Sequence, residues 1–261
     1  MDQGFQLLNN GQFEKSRFIY QEAKEIAKSA CLWNMYFTSY DKEIETHWRL
    51  SELEIAKKKN ADALIDLKTV LGDSSNLEYR IHQSLGTIYY MAGELDSATY
   101  AYELSIDKRP ADRNGQKKDM GGIYTNLGAI QSKLGNLNKE IFYFKKAVES
   151  DKADLGEDHI YLAGSFSNLG DAMLRKGENS KAGQYLEKAI HIYELNNTYG
   201  ENYINTISAL GSLYSWNEEF EKSILFLKRA LNYKIELFGI KSLQVFEGYS
   251  FLADALLRSE E

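Results

Sequence analysis

A glycine returns every 42 residues through the middle of this chain, and that period constrains the fold more than any other feature. Leu85-Gly86, Leu127-Gly128, Leu169-Gly170 and Leu210-Gly211 align with glycine separations of 42, 42 and 41 residues, and Leu252-Ala253 stands in the same slot 42 residues further on. Seven residues after the small residue come Gly93, Gly135, Gly177 and Glu218. Twelve after it come Ala98, Glu140, Ala182 and Ser223, and nineteen after it Ser105, Ala147, Ala189 and Ala230. Between those last two slots large apolar residues recur: Tyr102, Phe144, Leu186 and Leu227. A period of this length is the mark of a tandem structural repeat.

Each slot has a physical task. The first small residue lets one helix lie close against its partner. The second glycine falls where a helix must stop, because glycine takes positive φ without a steric penalty. Within a repeat, apolar residues step by three and four, as at Ile123, Leu127, Ile130 and Leu134, which is helical rather than strand spacing. A single proline among 261 residues fits helices joined by glycine-marked turns. The spacing predicts helix–turn–helix pairs in series, not one central core.

These residues resemble the tetratricopeptide repeat (TPR). The segment Leu85-Gly86-Thr87-Ile88-Tyr89-Tyr90-Met91-Ala92-Gly93-Glu94-Leu95-Asp96-Ser97-Ala98 carries the signature, and Tyr79 to Pro110 matches nearly every slot of it, including the closing proline. Gly4, Gly11, Phe13, Ser16, Tyr20 and Ala23 fit a first copy; Ser51 in the small-residue slot, 47 residues after Gly4, with Ala63, Leu67 and Val70, fits a degenerate second. The resemblance implies an all-α, right-handed superhelix (an alpha solenoid) of about six helix–turn–helix units plus a terminal helix. The expected units are 1–30, 44–75, 79–110, 121–154, 163–196 and 204–237, with a last helix at 243–259, all in a single array.

The period exceeds the usual value of about 34 residues. It is similar to the long TPRs of kinesin light chains and of bacterial proteins carrying CHAT proteases. Their linker reads Leu-Gly-x-x-His-Pro; here Leu155-Gly156-Glu157-Asp158-His159 is followed by Ile160, and Tyr199-Gly200-Glu201-Asn202 and Phe238-Gly239-Ile240-Lys241-Ser242 lack the histidine. The spacing slips near residues 196–205, where a local change of packing is expected. Trp33, Tyr36, Phe37 and Tyr40 form an apolar stripe in the stretch that fits least. It reads as part of a lengthened helix bridging the first two units, or as a short helical insertion, and as a candidate partner surface.

Catalytic chemistry is not expected. The chain has no phosphate-binding loop, no His-Glu-x-x-His and no Gly-x-Ser-x-Gly elbow. Cys31 is the only cysteine, and His47, His82, His159 and His191 are scattered, so neither a metal nor another cofactor is called for. The net charge of −7 argues against a general nucleic-acid surface. No apolar run reaches the roughly 18 residues that cross a bilayer, and the sequence shows no secretory signal. A cytoplasmic location is expected.

The family resemblance places a ligand-binding concave face on the first helix of each pair. Counted through the units, that face carries Gln83, Thr87 and Tyr90 beside Arg80; Thr125 and Asn126, with Ser132 further along; Ser167, Asn168, Asp171 and Arg175; then Asn205, Ser208, Ser212 and Trp216. Asn126 and Asn168 hold equivalent slots 42 residues apart, and an asparagine amide can pair with both N–H and C=O of an extended peptide. The solvated side of an amphipathic helix would look similar. The lysines and arginine with which TPR co-chaperones grip a terminal carboxylate are missing here; only the central asparagine survives.

The expected function is a protein- or peptide-binding scaffold without catalysis of its own. Two alternatives are the recognition portion of a larger effector, to which the short opening helix and unpaired final helix point, and a peptide-sensing regulator. An exposed stripe on the last helix (Phe251, Leu252, Ala255, Leu256) would allow weak self-association.

Overall fold

A computed structural model describes residues 2–72 and 77–259. The end of the second expected unit, 73–75, and the last two residues lie outside the described residues. Thirteen α-helices and no strand occur among the described residues, so the fold is all-α. The chain divides into two compact halves, Met1–Lys117 and Lys118–Glu261. The first holds α1 (Asp2–Asn9), α2 (Phe13–Ser29), α3 (Trp33–Arg49), α4 (Leu53–Leu71), α5 (Glu78–Met91) and α6 (Leu95–Lys108). The second holds α7 (Gly121–Lys133), α8 (Leu137–Leu155), α9 (Ile160–Lys176), α10 (Asn179–Leu195), α11 (Glu201–Trp216), α12 (Phe220–Phe238) and α13 (Leu243–Ser259).

The repeating glycine is a contact residue. A β-carbon on Gly86 would stand 2.7 Å from the ring of Tyr102, one on Gly128 2.5 Å from Phe144, and ones on Gly170 and Gly211 2.8 and 2.9 Å from Leu186 and Leu227. The first helix of each pair therefore gives up a side chain so that the second can bring a large one against its backbone. Tyr102 is fully buried and its hydroxyl lies 3.0 Å from that of Thr87. Seven residues on, the turn is made by a residue of positive φ: Gly93 at 77°, Gly135 at 73° and Gly177 at 80°. The N–H groups of Gly93 and Glu94 close that turn onto the carbonyls of Tyr90 and Tyr89, which ties off the end of the first helix.

The second repeat is set differently from the sequence expectation. Ser51 is not the small contact residue. It is the turn residue, with φ 61° and the same closure, Glu52 N–H to the His47 carbonyl at 2.9 Å. Its counterpart is Gly93, 42 residues on. The contact slot then falls on Ile44, and the later slots on Ala56, Asn60 and Ala63, all four buried. Ile44 and Asn60 line one small cavity, so here the bulk sits on the first helix and the smaller side chain on the second. Asn60 satisfies its amide by donating to the Ile81 carbonyl at 3.0 Å.

Nor does a helix bridge the first two repeats. α2 ends at Ser29 and α3 starts at Trp33, across a turn held by Cys31 at φ 53°. The aromatic stripe on α3 is core: Tyr36, Phe37 and Tyr40 are buried with Ile44, Leu67 and Ile88, which removes it as a partner surface. Glu43, on the same helix, is fully buried, and its carboxylate takes Lys24 at 2.7 Å, Lys59 at 2.6 Å and Gln21 at 3.0 Å. It ties α2, α3 and α4 together through charge.

In the second half α8 and α12 run for 19 residues each and end at Gly156 and Gly239, with φ 91° and 79°. Between them α10 stops after 17 residues in a tight turn through Asn197 at φ 50°. Gly200, matched in sequence with those two glycines, has φ −77° and sits just before α11. The slip near 196–205 is therefore a different way of ending a helix. His159 also has a local use, its ring nitrogen accepting the N–H of Tyr161 at 3.3 Å at the head of α9.

Candidate functional site

In the first half, the sides of α3 and α5 that face away from the core enclose a polar cavity of about 310 Å³. Gln83 and Thr87, both expected on the binding face, line it, and Arg80 lies on the same wall. Arg80 donates to the Thr38 hydroxyl at 3.0 Å and stands 3.6 Å from the Asp41 carboxylate. Burial pushes the Asp41 carboxyl up, while Arg80, Lys42 and a hydrogen bond from Ser84 act against that shift. Lys42 bonds Glu45 at 2.7 Å. At one end the Arg109 guanidinium lies 4.3 Å from the centre of the Tyr79 ring. Arg109 is brought there because a residue before proline is driven out of the helical region: its ψ is 126° and α6 stops at Lys108. Tyr90, the third expected residue of this helix, is half-buried outside the cavity lining.

In the second half the expected residues occupy one side of α7, α9 and α11, with different availability. Thr125, Asn126 and Asn168 are half-buried. Ser167 is buried, its hydroxyl 2.8 Å from that of Thr206. Arg175 is engaged twice, with the buried Glu140 carboxylate and with the Ser132 hydroxyl at 2.9 Å. Arg258 repeats the second contact two repeats further on, reaching Ser215 at 3.1 Å. Ser208 donates to the Ile204 carbonyl at 2.8 Å and Ser212 is half-buried. Asn205 and Trp216 face solvent, Trp216 with 75% of its surface exposed, so it is no core residue.

Asp171 is the electrostatically unusual member. Water reaches it, but desolvation by the surrounding helices pushes its carboxyl up to about 6; Arg175 opposes the shift and Glu140 adds to it. Among the described residues no group of histidine, cysteine and carboxylate side chains is placed to hold a metal ion. Cys31 is exposed. No described helix is long and apolar enough to cross a membrane.

Asp41, Lys42, Glu45 and Arg109 were not among the expected site residues. The signal for the first three was the true register of the second repeat: Ser51 pairs with Gly93, which sets Thr38 opposite Arg80 at the same 42-residue interval.

The family model described as "Tetratricopeptide repeat" matches residues 119–194, from just before α7 to the end of α10. The chain carries tetratricopeptide repeats over residues 119–194. No curated protein matches it in sequence. Among solved structures, it is similar to BtubC (BKLC) from P. vanneervenii at 19% identity and TM-score 0.72, covering 86% of this chain and 91% of that one. It is similar to a signal-transduction ATPase with numerous domains from Pyrococcus horikoshii, which has a tetratricopeptide-repeat sensor. There the identity is 17% and the TM-score 0.79, over 100% of this chain and 39% of that one. A kinesin light chain with nearly identical TPR-like repeats from Podosopora anserina gives 13% identity and TM-score 0.59, over 76% and 95%. At these identities the likeness shows the shared TPR fold.

Proposed function

We propose that these repeats hold a peptide segment of a partner protein against the concave side of their first helices, without catalysing a reaction and in the cytoplasm. The observation that carries this reading is the open polar cavity between α3 and α5. Gln83 and Thr87, placed on the binding face by repeat counting, both line it. In the second half, Asn126, Asn168, Asp171, Asn205 and Trp216 supply amide, carboxylate and aromatic surface on the corresponding sides of α7, α9 and α11. A random peptide library displayed against the full chain tests the reading. Selected peptides should bind, and the paired change Asn126→Ala with Asn168→Ala should weaken those that contact the second half. Unchanged affinity would remove the asparagines from the site, and failure to select any peptide would remove the reading.

A second reading treats the array as the sensor portion of a larger effector. It is supported by the likeness to the Pyrococcus horikoshii protein, 39% of which the chain spans. The open reading frame around the natural gene decides between them. Self-association through α13 is a further proposal: Leu243, Phe246, Phe251 and Leu257 are exposed there, while Ala255 of the expected stripe is buried. Sedimentation across a concentration series tests it.

A further inference from the structure

We propose that the cavity between α3 and α5 selects an uncharged amide, the side chain of an asparagine or glutamine in the bound segment, over a charged one. The proposal rests on the peptide-binding reading and names the chemistry of one ligand residue. Each charged group in the lining is already matched. Glu45 holds Lys42 and Arg49, both at 2.7 Å. Arg80 donates to the Thr38 hydroxyl at 3.0 Å and faces Asp41 at 3.6 Å, and Asp41 accepts a hydrogen bond from Ser84. Arg109 lies over the Tyr79 ring and has a further partner. The Thr87 hydroxyl is paired with that of Tyr102, 3.0 Å away. A cation or anion entering here would lose water without finding a free counter-charge, which is costly in a recess.

Two neutral groups of the lining are left open. Among the described residues, neither the half-buried Gln83 side-chain amide nor the Trp48 indole N–H has a hydrogen-bond partner. A primary amide offers one carbonyl acceptor and two N–H donors. A second amide answers both functions of Gln83 at once; a carboxylate answers only its N–H groups and an ammonium only its carbonyl. The indole N–H is one more donor for the incoming carbonyl. The Gln83 amide is also a feature of this cavity rather than of the repeat. The same slot holds Thr125, Ser167 and Ser208 further along, and the two serines bond within the protein, to Thr206 and to the Ile204 carbonyl. At about 310 Å³ the cavity has room for a side chain of this length.

The test uses the full chain and five peptide pools, randomised except for one fixed residue: glutamine, asparagine, alanine, glutamate or lysine. Fluorescence anisotropy should place the better amide pool about tenfold above alanine, the scale of one well-made pair of neutral hydrogen bonds. Glutamate and lysine should bind no better than alanine. The better of glutamine and asparagine sets the length that the cavity accepts. Gln83→Ala should erase the amide preference, and circular dichroism verifies that this variant is folded. A glutamate or lysine pool at the top, or an amide preference that survives Gln83→Ala, overturns the proposal. Binding that ignores the fixed residue overturns it while leaving the peptide groove standing. If no pool binds at all, the groove itself falls and this inference falls with it.

Discussion

Phe144 lies so close to Gly128 that a β-carbon on the glycine would stand 2.5 Å from its ring. The same relation binds Tyr102 to Gly86 and Leu186 to Gly170, so the spacing between paired helices is set by the absence of one methyl group. Overpacking a fitted contact costs about 1–3 kcal/mol. Gly128→Ala should therefore lower stability by that amount in chemical denaturation. Adding Phe144→Leu should recover part of the loss, because touching residues are not additive. Two losses that simply add would refute the contact account.

Arg175 and Glu140 give a second test. Glu140 is buried in a slot that other repeats fill with Ala98, Ala182 or Ser223, and Arg175 is its partner. Removing one partner of a fully buried pair costs about 3–5 kcal/mol. The Arg175 side chain is half exposed while Glu140 is buried, so Arg175→Ala should destabilise by less than that. The loss should still exceed that of Arg258→Ala, which gives up a serine hydroxyl and the rings of Trp216 and Phe220. Glu140→Ala combined with Arg175→Ala should restore most of the loss, since alanine already fits this slot twice. Urea midpoints for the three variants decide it.

Glu43 predicts acid sensitivity. Its burial would raise the carboxyl, but hydrogen bonds from Lys24, Lys59 and Gln21 outweigh that and leave it lowered. A lowered carboxyl stabilises the fold above the unfolded value, about 4.3, and that contribution is lost as pH falls through the folded value. Glu43→Gln should thus be less stable than the parent at pH 7, with the gap closing below about pH 4. A gap independent of pH would show that the carboxylate charge contributes nothing.

Asp171 has the opposite sign. A carboxyl raised to about 6 favours the fold below the unfolded value, about 3.9, and loses that advantage as pH rises through 6. Asp171→Asn should be the more stable form at neutral pH and equal to the parent in acid. Carbon-detected NMR should find the Asp171 carboxyl titrating near 6; a midpoint near 4 would show an ordinary surface aspartate.

The sequence made most of this fold legible, because a repeat announces itself four times. Gly86, Gly128, Gly170 and Gly211 located the helix contacts, and Gly93, Gly135 and Gly177 the turns. Ser51 was misplaced because serine can be either a small contact residue or, less often, a positive-φ turn residue, and identity alone does not choose. That error hid the α3 side of the polar cavity. Trp33, Tyr36, Phe37 and Tyr40 looked like a surface for the same reason: spacing shows that residues share a face but not which way the face points. The hydrogen bonding of Ser167 and the clasp of Arg175 come from neighbouring repeats, and no local pattern reveals them.

The exchange of bulk between Ile44 and Asn60 has a consequence for recombination. A crossover that joined α7 to α10 would set Gly128 against Leu186, the same kind of pair each parent already has. One that joined α3 to α6 would drive Ile44 into Tyr102, while the reciprocal product would leave Gly86 facing Asn60 across a gap. The second repeat is thus a non-interchangeable piece, and gene shuffling in this chain should yield folded products only when α3 and α4 are inherited together.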